Sequence, residues 1–401
     1  MERMKRTVTC GELNGSYEGR EVVLNGWVHR NRDHGGIHFI NLRDRYGITQ
    51  VVIDEDAAQQ LKDMAEDIKF EFCIAVKGVV RSRPESMRNP EMATGDIEVS
   101  AKEVQILSRC NTLPFMLEEK SNANEDLRLE YRYLDLRTAS MQRNIRLRHQ
   151  VMLEARNYLS ENDFYEIETP TLIRSTPEGA RDFLVPSRLH TGKFYALPQS
   201  PQLYKQLLMV SGFDRYFQIA HCFRDEDPRG DRQLEHSQID MEMSFVSKED
   251  VFEIVEGMFS RIFKNTLGLE LTTPFARLGY YEAMNSYGSG KPDLRFGMKM
   301  EGFAEYAEKS NFGVFQQVLE SGGAIKTLVA DGCADYSRKN IEDLERIAKQ
   351  YGAKGLAWMK VKDNALDGGV SRFFTDQQEE ILSGLGAKDG DLILMVADKW
   401  K

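Results

Sequence analysis

The sequence has few cysteines and no long apolar run. Its five cysteines are scattered, with no C-x-x-C pair and no histidine at metal-ligand spacing, which argues against a zinc site and against a disulfide framework. No apolar run is long enough to span a bilayer, and the N-terminal stretch MERMKRTVTC lacks the apolar core of a secretion signal. These absences predict a protein of the reducing cytoplasm, with no metal site and no membrane partner.

Positive charge is also in deficit. The chain has 53 Lys and Arg against 63 Asp and Glu, a formal net charge of −10, which argues against bulk electrostatic binding of nucleic acid. Any RNA contact must therefore come from local basic patches. With 401 residues, 41% of them hydrophobic, the chain is long enough for two or three domains with ample cores.

The strongest local pattern covers residues 216–245, YFQIAHCFRDEDPRGDRQLEHSQIDMEMSF. Apolar and polar residues alternate in two stretches joined by a charged loop, which predicts an antiparallel strand pair with one apolar and one polar face. The polar face presents Gln218, Arg224, Gln238, Asp240 and Glu242. Two interpretations fit this face: a solvated hairpin, and a floor that binds a polyanion together with a polar metabolite.

The N-terminal part predicts a β-barrel. Residues 7–110 contain five short alternating stretches with one helix, at 56–70, between them, a pattern that suggests an OB-fold. Basic residues cluster with Phe39 in residues 29–45. Such a face suits single-stranded nucleic acid, because bases stack on rings while cations follow phosphates. Composition alone favours the alternative, a strand face with solubilising charge.

The central segments have ordinary structural interpretations. Residues 140–163 predict an amphipathic helix that feeds an edge strand at 164–170, stopped by proline. In the segment 197–205, LPQSPQLYK, Ser200 is a fair N-cap for a helix, and the pattern alone favours a solvated helical turn for Gln202 and Lys205. The arginine-rich segment 111–138 fits a salt-bridged helical linker, and residues 301–401 alternate between helix and strand patterns.

Several segments carry a resemblance to a known family. Residues 223–226 (FRDE), 232–233 (RQ) and 238–242 (QIDME) resemble motif 2 of class II aminoacyl-tRNA synthetases, and the bacterial-type aspartyl-tRNA synthetases are the nearest group. The resemblance implies a multidomain chain in four parts. These are an OB-fold anticodon-binding barrel at 1–110, a hinge at 111–138, the first part of the class II catalytic domain at 139–296, and the bacterial α/β insertion domain at 297–401. The catalytic part would be an antiparallel β-sheet with flanking helices.

The resemblance implies an aspartate–tRNA ligase. Such an enzyme activates L-aspartate with ATP to aspartyl-adenylate and transfers the aspartyl group to tRNA, so tRNA, L-aspartate and ATP are the expected partners. The helix–strand–proline unit at 140–170 resembles motif 1, which in this family forms the interface of a homodimer. From the residues alone it is only a core helix that feeds an edge strand.

Three sets of site residues follow from the resemblance, with Arg224 as the catalytic group. The expected aspartate contacts, in which Lys205 neutralises the β-carboxylate, are Glu178, Ser200, Gln202, Lys205, Arg224 and Asp240. The expected ATP contacts are Arg224, Asp225, Glu226, Gln233 and His236. The expected contacts with the tRNA anticodon are Arg30, Arg32, Phe39, Gln50 and Glu98.

The sequence departs from the family pattern at some positions. His236 stands where the family has a phenylalanine that stacks on adenine, Leu234 replaces a proline, and Gly290 replaces an acidic residue. An imidazole can also stack on adenine. His34 is similar to forms that accept both aspartate and asparagine tRNAs, but residues 84–87 lack the glycine that usually accompanies it. The choice between one and two tRNAs therefore stays open.

The family pattern also continues beyond what this sequence contains. Its magnesium-binding carboxylates, a second β-carboxylate arginine and motif 3 are not found, and residues 367–372 (DGGVSR) fit a turn of the insertion instead. We therefore expect a chain truncated before motif 3, with an incomplete sheet and Mg²⁺ ligands downstream. A catalytically incomplete tRNA-binding fragment is the alternative function. A third candidate function is that of a related enzyme for lysine or asparagine. The insertion domain and the segment around Lys205 argue against it.

Overall fold

The computed structural model describes residues 4–117, 123–176 and 178–399. Residues 118–122 of the predicted hinge and Pro177 of the predicted aspartate pocket lie outside the described residues. The chain divides into two compact units, residues 1–244 with 265–268 and residues 245–264 with 269–401. The finer domain limits predicted at 110, 138 and 296 stay predictions.

The N-terminal strands close into the predicted OB-fold barrel. The strand order is β1-β2-β3-β5-β4, with β3 and β5 parallel and the other neighbours antiparallel. Alternate residues such as Leu24, Ile40, Val51 and Ile74 fill the interior and are fully buried. The elements are β1 (Glu21–His34), β2 (Ile37–Arg43), β3 (Ile48–Ile53), α1 (Gln59–Asp67), β4 (Cys73–Ser82) and β5 (Ile97–Ser108).

A buried carboxylate links the barrel to the segment that follows it. Glu71 is 2% exposed and has a φ of +60°, an uncommon backbone conformation for a residue with a side chain. Its two oxygens accept from Arg43 of β2 at 2.8 Å and from Arg137, next to the following long helix, at 2.8 Å. The guanidinium of Arg137 also lies over the ring of Trp27, 5.0 Å from its centre. These contacts fix the barrel against the start of the next helix.

The rest of the first unit surrounds a small sheet of order β10-β9-β6. The predicted strand at 164–170 was too long, because only two residues pair with β9, in parallel, before the chain turns away. The long helix starts at Thr138, whose hydroxyl accepts from the backbone N–H of Met141. The elements are α2 (Glu125–Glu130), α3 (Arg132–Asp135), α4 (Ala139–Glu161), β6 (Tyr165–Glu166), β7 (Leu184–Pro186), β8 (Phe194–Ala196), α5 (Gln202–Val210), β9 (Arg215–Phe223) and β10 (Glu235–Met243).

The second unit contains an antiparallel five-stranded sheet of order β11-β12-β15-β13-β14. Phe303, Phe315 and Phe374 pack together in its core. Residues 368–370 turn after β14, as the sequence predicted. The elements are α6 (Lys248–Leu267), which also enters the first unit, α7 (Tyr280–Tyr287), β11 (Met300–Gly302), α8 (Ala304–Glu308), α9 (Gly313–Glu320), β12 (Ala324–Ala330), α10 (Arg338–Gln350), β13 (Ala357–Lys362), β14 (Ala365–Asp367), α11 (Gln378–Leu385) and β15 (Leu392–Asp398).

Short 3₁₀ turns complete the secondary structure, at Gly15–Tyr17, Glu85–Met87, Leu294–Phe296, Ser371–Phe373 and Thr375–Gln377. The helix and strand patterns expected over residues 301–401 are present as four helices and five strands between Met300 and Asp398 in the described part of the chain. No helix among the described residues is long and apolar enough to cross a membrane.

Candidate active site

The strand pair β9–β10 forms the floor of the candidate site. Asp240 pairs with Gln218, Glu242 with Tyr216, and His236 with Cys222. Because directly opposed residues of an antiparallel pair point to the same face, these polar side chains share one side of the sheet, as the alternation predicted. The thiol of Cys222 donates to Gln238 Oε1 at 3.1 Å, and burial together with Asp240 raises its pKa to about 11.

Helix α5 places Lys205 over this floor. Its Nζ lies 3.0 Å from Asp240 Oδ1 and 3.2 Å from Glu242 Oε2, and its side chain is only 12% exposed. The solvated helical turn that the local pattern favoured is therefore wrong for Lys205. A cation and a carboxylate held this far from water, with the partly exposed Glu242 beside them, form a strong local electrostatic centre.

The pKa values in this cluster reflect both burial and pairing. For Lys205, burial disfavours the charged form, but Asp240 and Glu242 outweigh it, so its pKa lies above the ordinary value. For Asp240, burial raises the pKa although Lys205 opposes the rise. A partner that brings positive charge to Asp240 would therefore stabilise its ionised form.

Glu178 and Ser200 meet at the start of α5. The Ser200 hydroxyl donates to Glu178 Oε2 at 2.6 Å, and Thr176 donates to Glu178 Oε1 at 3.2 Å. The N-cap predicted at Ser200 falls one residue later, at Pro201, although the Ser200 hydroxyl still accepts from the backbone N–H of Gln202 at 3.3 Å. Gln202 begins the helix one turn before Lys205 and is half-buried. Three of the six expected aspartate contacts, Ser200, Gln202 and Lys205, thus lie along one short stretch, and Glu178 contacts the start of that stretch.

Gln199 is a structural residue of this site that the sequence analysis missed. It is almost fully buried, its Oε1 accepts from the backbone N–H of Ala180 at 3.0 Å, and its Nε2 donates to the carbonyl of Ala180 at 2.8 Å. This pair of bonds holds the loop that carries Glu178 against the turn before α5. No local pattern marks it, because its partner Ala180 is far from Gln199 in sequence.

The end of β9 opens into a cavity of about 910 Å³. Arg224 is held there by its backbone, whose N–H donates to the carbonyl of Leu234 at 2.8 Å. Its Nε is buried, and no hydrogen-bond partner reaches it among the described residues. The lining includes four of the five expected ATP contacts and further polar residues, among them Arg148, Arg224, Glu226, Arg232, Gln233 and His236.

The fifth expected ATP contact, Asp225, does not line this cavity. Its backbone N–H donates to the carbonyl of Arg181 at 3.0 Å, which ties the loop of Glu178 to the end of β9. Across the described residues, no group of three or more His, Cys, Asp and Glu side chains could hold a metal ion. The lining of the cavity combines cationic and anionic groups, which suits a charged organic ligand.

The expected anticodon contacts share the outer face of the barrel. Arg32 pairs with Phe39, and Arg30 and Gln50 both pair with Asn41. Arg30 and Arg32 are exposed and Phe39 is half-buried on this face, and the register shift between Val28 and Arg30 turns Arg30 outward. Gln50 and Glu98 are instead buried, each 7% exposed. Gln50 donates to Glu98 Oε2 at 3.0 Å, and Arg81 donates to Glu98 Oε1 at 2.8 Å.

Two family profiles match the sequence. The profile described as tRNA synthetases class II (D, K and N) matches residues 124–381, and that of the OB-fold nucleic acid binding domain matches residues 22–107. The aspartate–tRNA(Asp/Asn) ligase of Treponema denticola is 61% identical over all of this chain, which spans 68% of that protein. The aspartate–tRNA ligase of Macrococcus caseolyticus is 51% identical over 98% of this chain, which spans 67% of that protein.

Solved structures of similar fold include an asparaginyl-tRNA synthetase from Pyrococcus horikoshii complexed with asparaginyl-adenylate. It matches with a TM-score of 0.63 at 19% identity and covers 98% of this chain and 93% of its own. A putative aspartyl-tRNA synthetase from Leishmania major matches with a TM-score of 0.59 and covers 98% of this chain and 90% of its own. These matches agree with a barrel followed by an antiparallel sheet with flanking helices.

The substitution Lys205→Met tests the buried charge cluster. We expect a loss of about 2–4 kcal/mol in the free energy of unfolding near neutral pH, because the buried carboxylate of Asp240 and the partly exposed one of Glu242 lose their cation. Since the pKa of Asp240 is raised, the loss should shrink as the pH falls through that pKa and Asp240 takes up a proton. Urea unfolding at a series of pH values measures both effects.

The control for this measurement is Lys264→Met, which breaks an exposed pair with Glu270. Exposed pairs contribute about 0–1 kcal/mol, so this variant should remain close to the unsubstituted protein. A Lys205→Met loss that is the same at neutral and acidic pH would contradict the assignment of that loss to Asp240.

Proposed function

Since this chain belongs to the class II tRNA synthetases of the D, K and N group, we propose that it acts as an aspartate–tRNA ligase on L-aspartate, ATP and tRNA. In the first step a carboxylate oxygen of aspartate attacks the α-phosphorus of ATP and pyrophosphate leaves. In the second, a terminal hydroxyl of tRNA attacks the aspartyl carbonyl and AMP leaves. The observation that carries this proposal is the buried Lys205 of α5 held between Asp240 and Glu242 of β10, while Arg224 directly follows β9 of the same strand pair.

Lys205 is proposed to select the amino acid. A lysine ammonium has three donors, so it can bind a substrate carboxylate while it keeps Asp240 and Glu242 as acceptors. Asparagine would bring a neutral amide to this cation, and lysine would bring a second cation. A buried polar site that loses its partner in this way can discriminate by roughly 10⁴-fold or more. Glu178, Ser200, Gln202 and Asp240 are proposed to hold the ammonium side of the substrate.

Arg224 is proposed as the catalytic residue of the first step. Its planar guanidinium can donate to a carboxylate oxygen and a phosphate oxygen at once, which would align the attacking atom and stabilise charge on the phosphorus. The buried Nε without a hydrogen-bond partner supports a ligand at this position. Glu226, Gln233 and His236 are proposed to contact the nucleotide, with Asp225 in a supporting role. Mg²⁺ would enter with ATP and neutralise phosphate charge, and we assign no ligand to it.

Amino-acid-dependent exchange of pyrophosphate into ATP tests this proposal on the 401-residue chain. If this chain supplies every group that the reaction needs, exchange occurs with aspartate and not above background with asparagine or lysine, whereas the truncation expected from the sequence predicts no exchange with any of the three. Arg224→Gln should lower exchange by about 10²-fold or more, because one transition-state donor is lost. Arg346→Gln, on the exposed face of α10, is the matched control.

A chain without aspartate-dependent exchange would contradict catalysis by these residues. If it still bound an anticodon stem–loop of aspartate tRNA, the tRNA-binding fragment would be the correct function instead. Exchange that depends on lysine or asparagine would favour a sister enzyme of the same group.

We also propose that the protein accepts the tRNAs of both aspartate and asparagine. The relative from Treponema denticola, at 61% identity, carries the name aspartate–tRNA(Asp/Asn) ligase, and other relatives near 50% carry either name. His34, exposed at the end of β1, lies with its ring 5.9 Å from that of Phe39 on the anticodon face. A base next to Phe39 would therefore also meet His34.

Stem–loops with the anticodons GUC and GUU test this dual recognition, since they differ only in the last base. We expect the full chain to bind both with dissociation constants within about 10-fold, or 1.4 kcal/mol. Fluorescence anisotropy at fixed salt measures the two affinities, because salt alone changes such affinities. A loop with a scrambled anticodon is the control, and a preference for GUC well above 10-fold would contradict dual recognition.

A homodimer is proposed through the region of α4 and β6. Tyr165 is 65% exposed although it lies in a strand, and it contacts Phe213 edge to face at 6.5 Å. Ile145, Leu153 and Leu172 are exposed apolar residues of the same unit. A second copy of the chain would cover such side chains, since obligate interfaces resemble a protein core.

Tyr165→Lys tests the dimer. We expect the variant to raise the dimer dissociation constant by about 10-fold or more, because aromatic anchors carry much of the energy of an interface. Sedimentation equilibrium measures the constant. Tyr351→Lys, at an exposed tyrosine of the second unit, should leave it unchanged. A wild-type chain that is monomeric at micromolar concentration would contradict the dimer itself.

A cytoplasmic location is part of the same proposal. The five cysteines are all free in the structure, and Cys10 and Cys222 are buried. Unpaired cysteines throughout a chain fit a reducing compartment, where tRNA is also charged.

A further inference from the structure

A second cavity of the first unit is separate from the candidate active site. It has a volume of about 900 Å³ and lies between the barrel and the start of α4. None of the expected aspartate or ATP contacts lines it, and of the five expected anticodon contacts it includes Arg30 alone. The role of this cavity is therefore not covered by the residues assigned so far.

Positive charge dominates the lining of this cavity. The described residues that line it include one carboxylate, that of Asp44, and six arginines, which are Arg30, Arg43, Arg45, Arg137, Arg143 and Arg146. Together these residues carry a net charge of +5, whereas the whole chain carries −10. Glu71, which does not line the cavity, offsets part of this charge because it pairs with Arg43 and Arg137.

The other arginines come from separate elements and converge without carboxylates to balance all of them. In the described parts of the chain, no carboxylate pairs with Arg30, Arg45 or Arg146. Arg146 Nη2 of α4 donates to the backbone carbonyl of Arg45, in the turn after β2, at 3.4 Å. Cations gathered around one cavity repel each other, and an anionic ligand would remove that repulsion.

The first turn of α4 adds to the positive potential of the cavity. Ala139 and Gln142 of this turn line the cavity, and the turn contains no acidic residue. The N-terminal end of a helix carries a partial positive charge and backbone N–H groups without helical partners, which together favour phosphate. This helix end therefore borders the same space as the arginines and favours the same kind of ligand.

The turn at residues 44–47 brings an aromatic ring to the cavity. Tyr46 lines the cavity and is 56% exposed, and the guanidinium of Arg45 lies 5.2 Å from the centre of its ring. Oδ1 of the buried Asp44 accepts from the backbone N–H groups of Tyr46 at 2.8 Å and of Gly47 at 3.2 Å. The ring is therefore held on a fixed turn before any ligand binds, which lowers the entropic cost of binding.

We propose that this cavity binds a free nucleotide with several phosphate groups. The phosphates lie among Arg143, Arg146 and the first turn of α4, and the base stacks on Tyr46. Arginine donates to phosphate through two N–H groups at once, and nucleic acid bases stack on aromatic rings. The volume falls within the range of small-molecule sites, about 300–1,000 Å³, and is too small to admit an RNA duplex.

This site does not depend on the proposed ligase function, since it uses none of the groups assigned to aspartate or ATP. Its arginines belong to the barrel side and to α4, so a bound nucleotide would also hold these two parts together.

Calorimetric titration of the full chain with GTP and with pyrophosphate tests the site. GTP is used because ATP is the proposed substrate of the other cavity. We expect both probes to bind, and Arg143→Gln/Arg146→Gln to weaken both by about 10-fold or more, because charged hydrogen bonds to phosphate are lost. Tyr46→Ala should weaken GTP by about 10-fold and leave pyrophosphate nearly unchanged, since only GTP has a base to stack. All three side chains are exposed, so these variants should fold.

The matched control is Arg338→Gln/Arg346→Gln, which removes two exposed arginines from α10. It should bind GTP as the unsubstituted chain does. No binding of GTP up to about 1 mM would overturn the proposal. So would GTP binding that is lost in Arg224→Gln and kept in Arg143→Gln/Arg146→Gln, because the nucleotide would then lie in the cavity of Arg224.

A short RNA duplex without an anticodon loop, titrated in parallel, separates a free nucleotide from RNA. Duplex binding that depends on Arg143 and Arg146, without binding of GTP, would mean that these arginines contact an RNA backbone, and it would rule out the nucleotide site. Because no measurement here uses aspartate or exchange, a chain that fails as a ligase still gives a clear result for this cavity.

Discussion

The buried ammonium of Lys205 is the constraint on which the rest of the site depends. A cation with so little access to water needs carboxylates beside it, and Asp240 and Glu242 supply them only if β9 and β10 pair in the observed register. A shift of one residue would turn both carboxylates to the other face of the sheet. The loop of Glu178 and the start of α5 are in turn placed by Gln199, so the charge cluster and its surroundings are fixed together.

Much of the floor could be predicted because its signal is local. Alternation over residues 216–245 fixes which side chains share a face, whatever lies beyond the strands. The barrel was predictable for the same reason, since each strand shows its own period. The local pattern gave a wrong prediction where the structure of a segment depends on a contact with residues distant in sequence. The strand predicted at 164–170 is only two residues long, because only Tyr165 and Glu166 pair with β9. Lys205 was predicted to be solvated because the carboxylate that it contacts in Asp240 is far from it in sequence.

Gln199 is the residue of the site that the sequence did not single out. It acts through hydrogen bonds to atoms that folding brings close, and a glutamine in a turn has no local pattern that predicts such a role. The resemblance to a family supplied the contacts expected of a ligand, which are groups that face the ligand. It did not supply the groups behind them, which set the orientation and protonation of the contacts.

The single carboxylate of Glu71 has a consequence for ligands that reach both the barrel and the sheet. By holding Arg43 on one side and Arg137 on the other, it fixes strand β2 of the barrel against the start of α4, the helix whose Arg148 lines the cavity of Arg224. A long ligand that touches both ends then meets a preset distance and loses little freedom on binding. Neutralising this carboxylate would leave the barrel and α4 folded, but the distance between them would no longer be fixed.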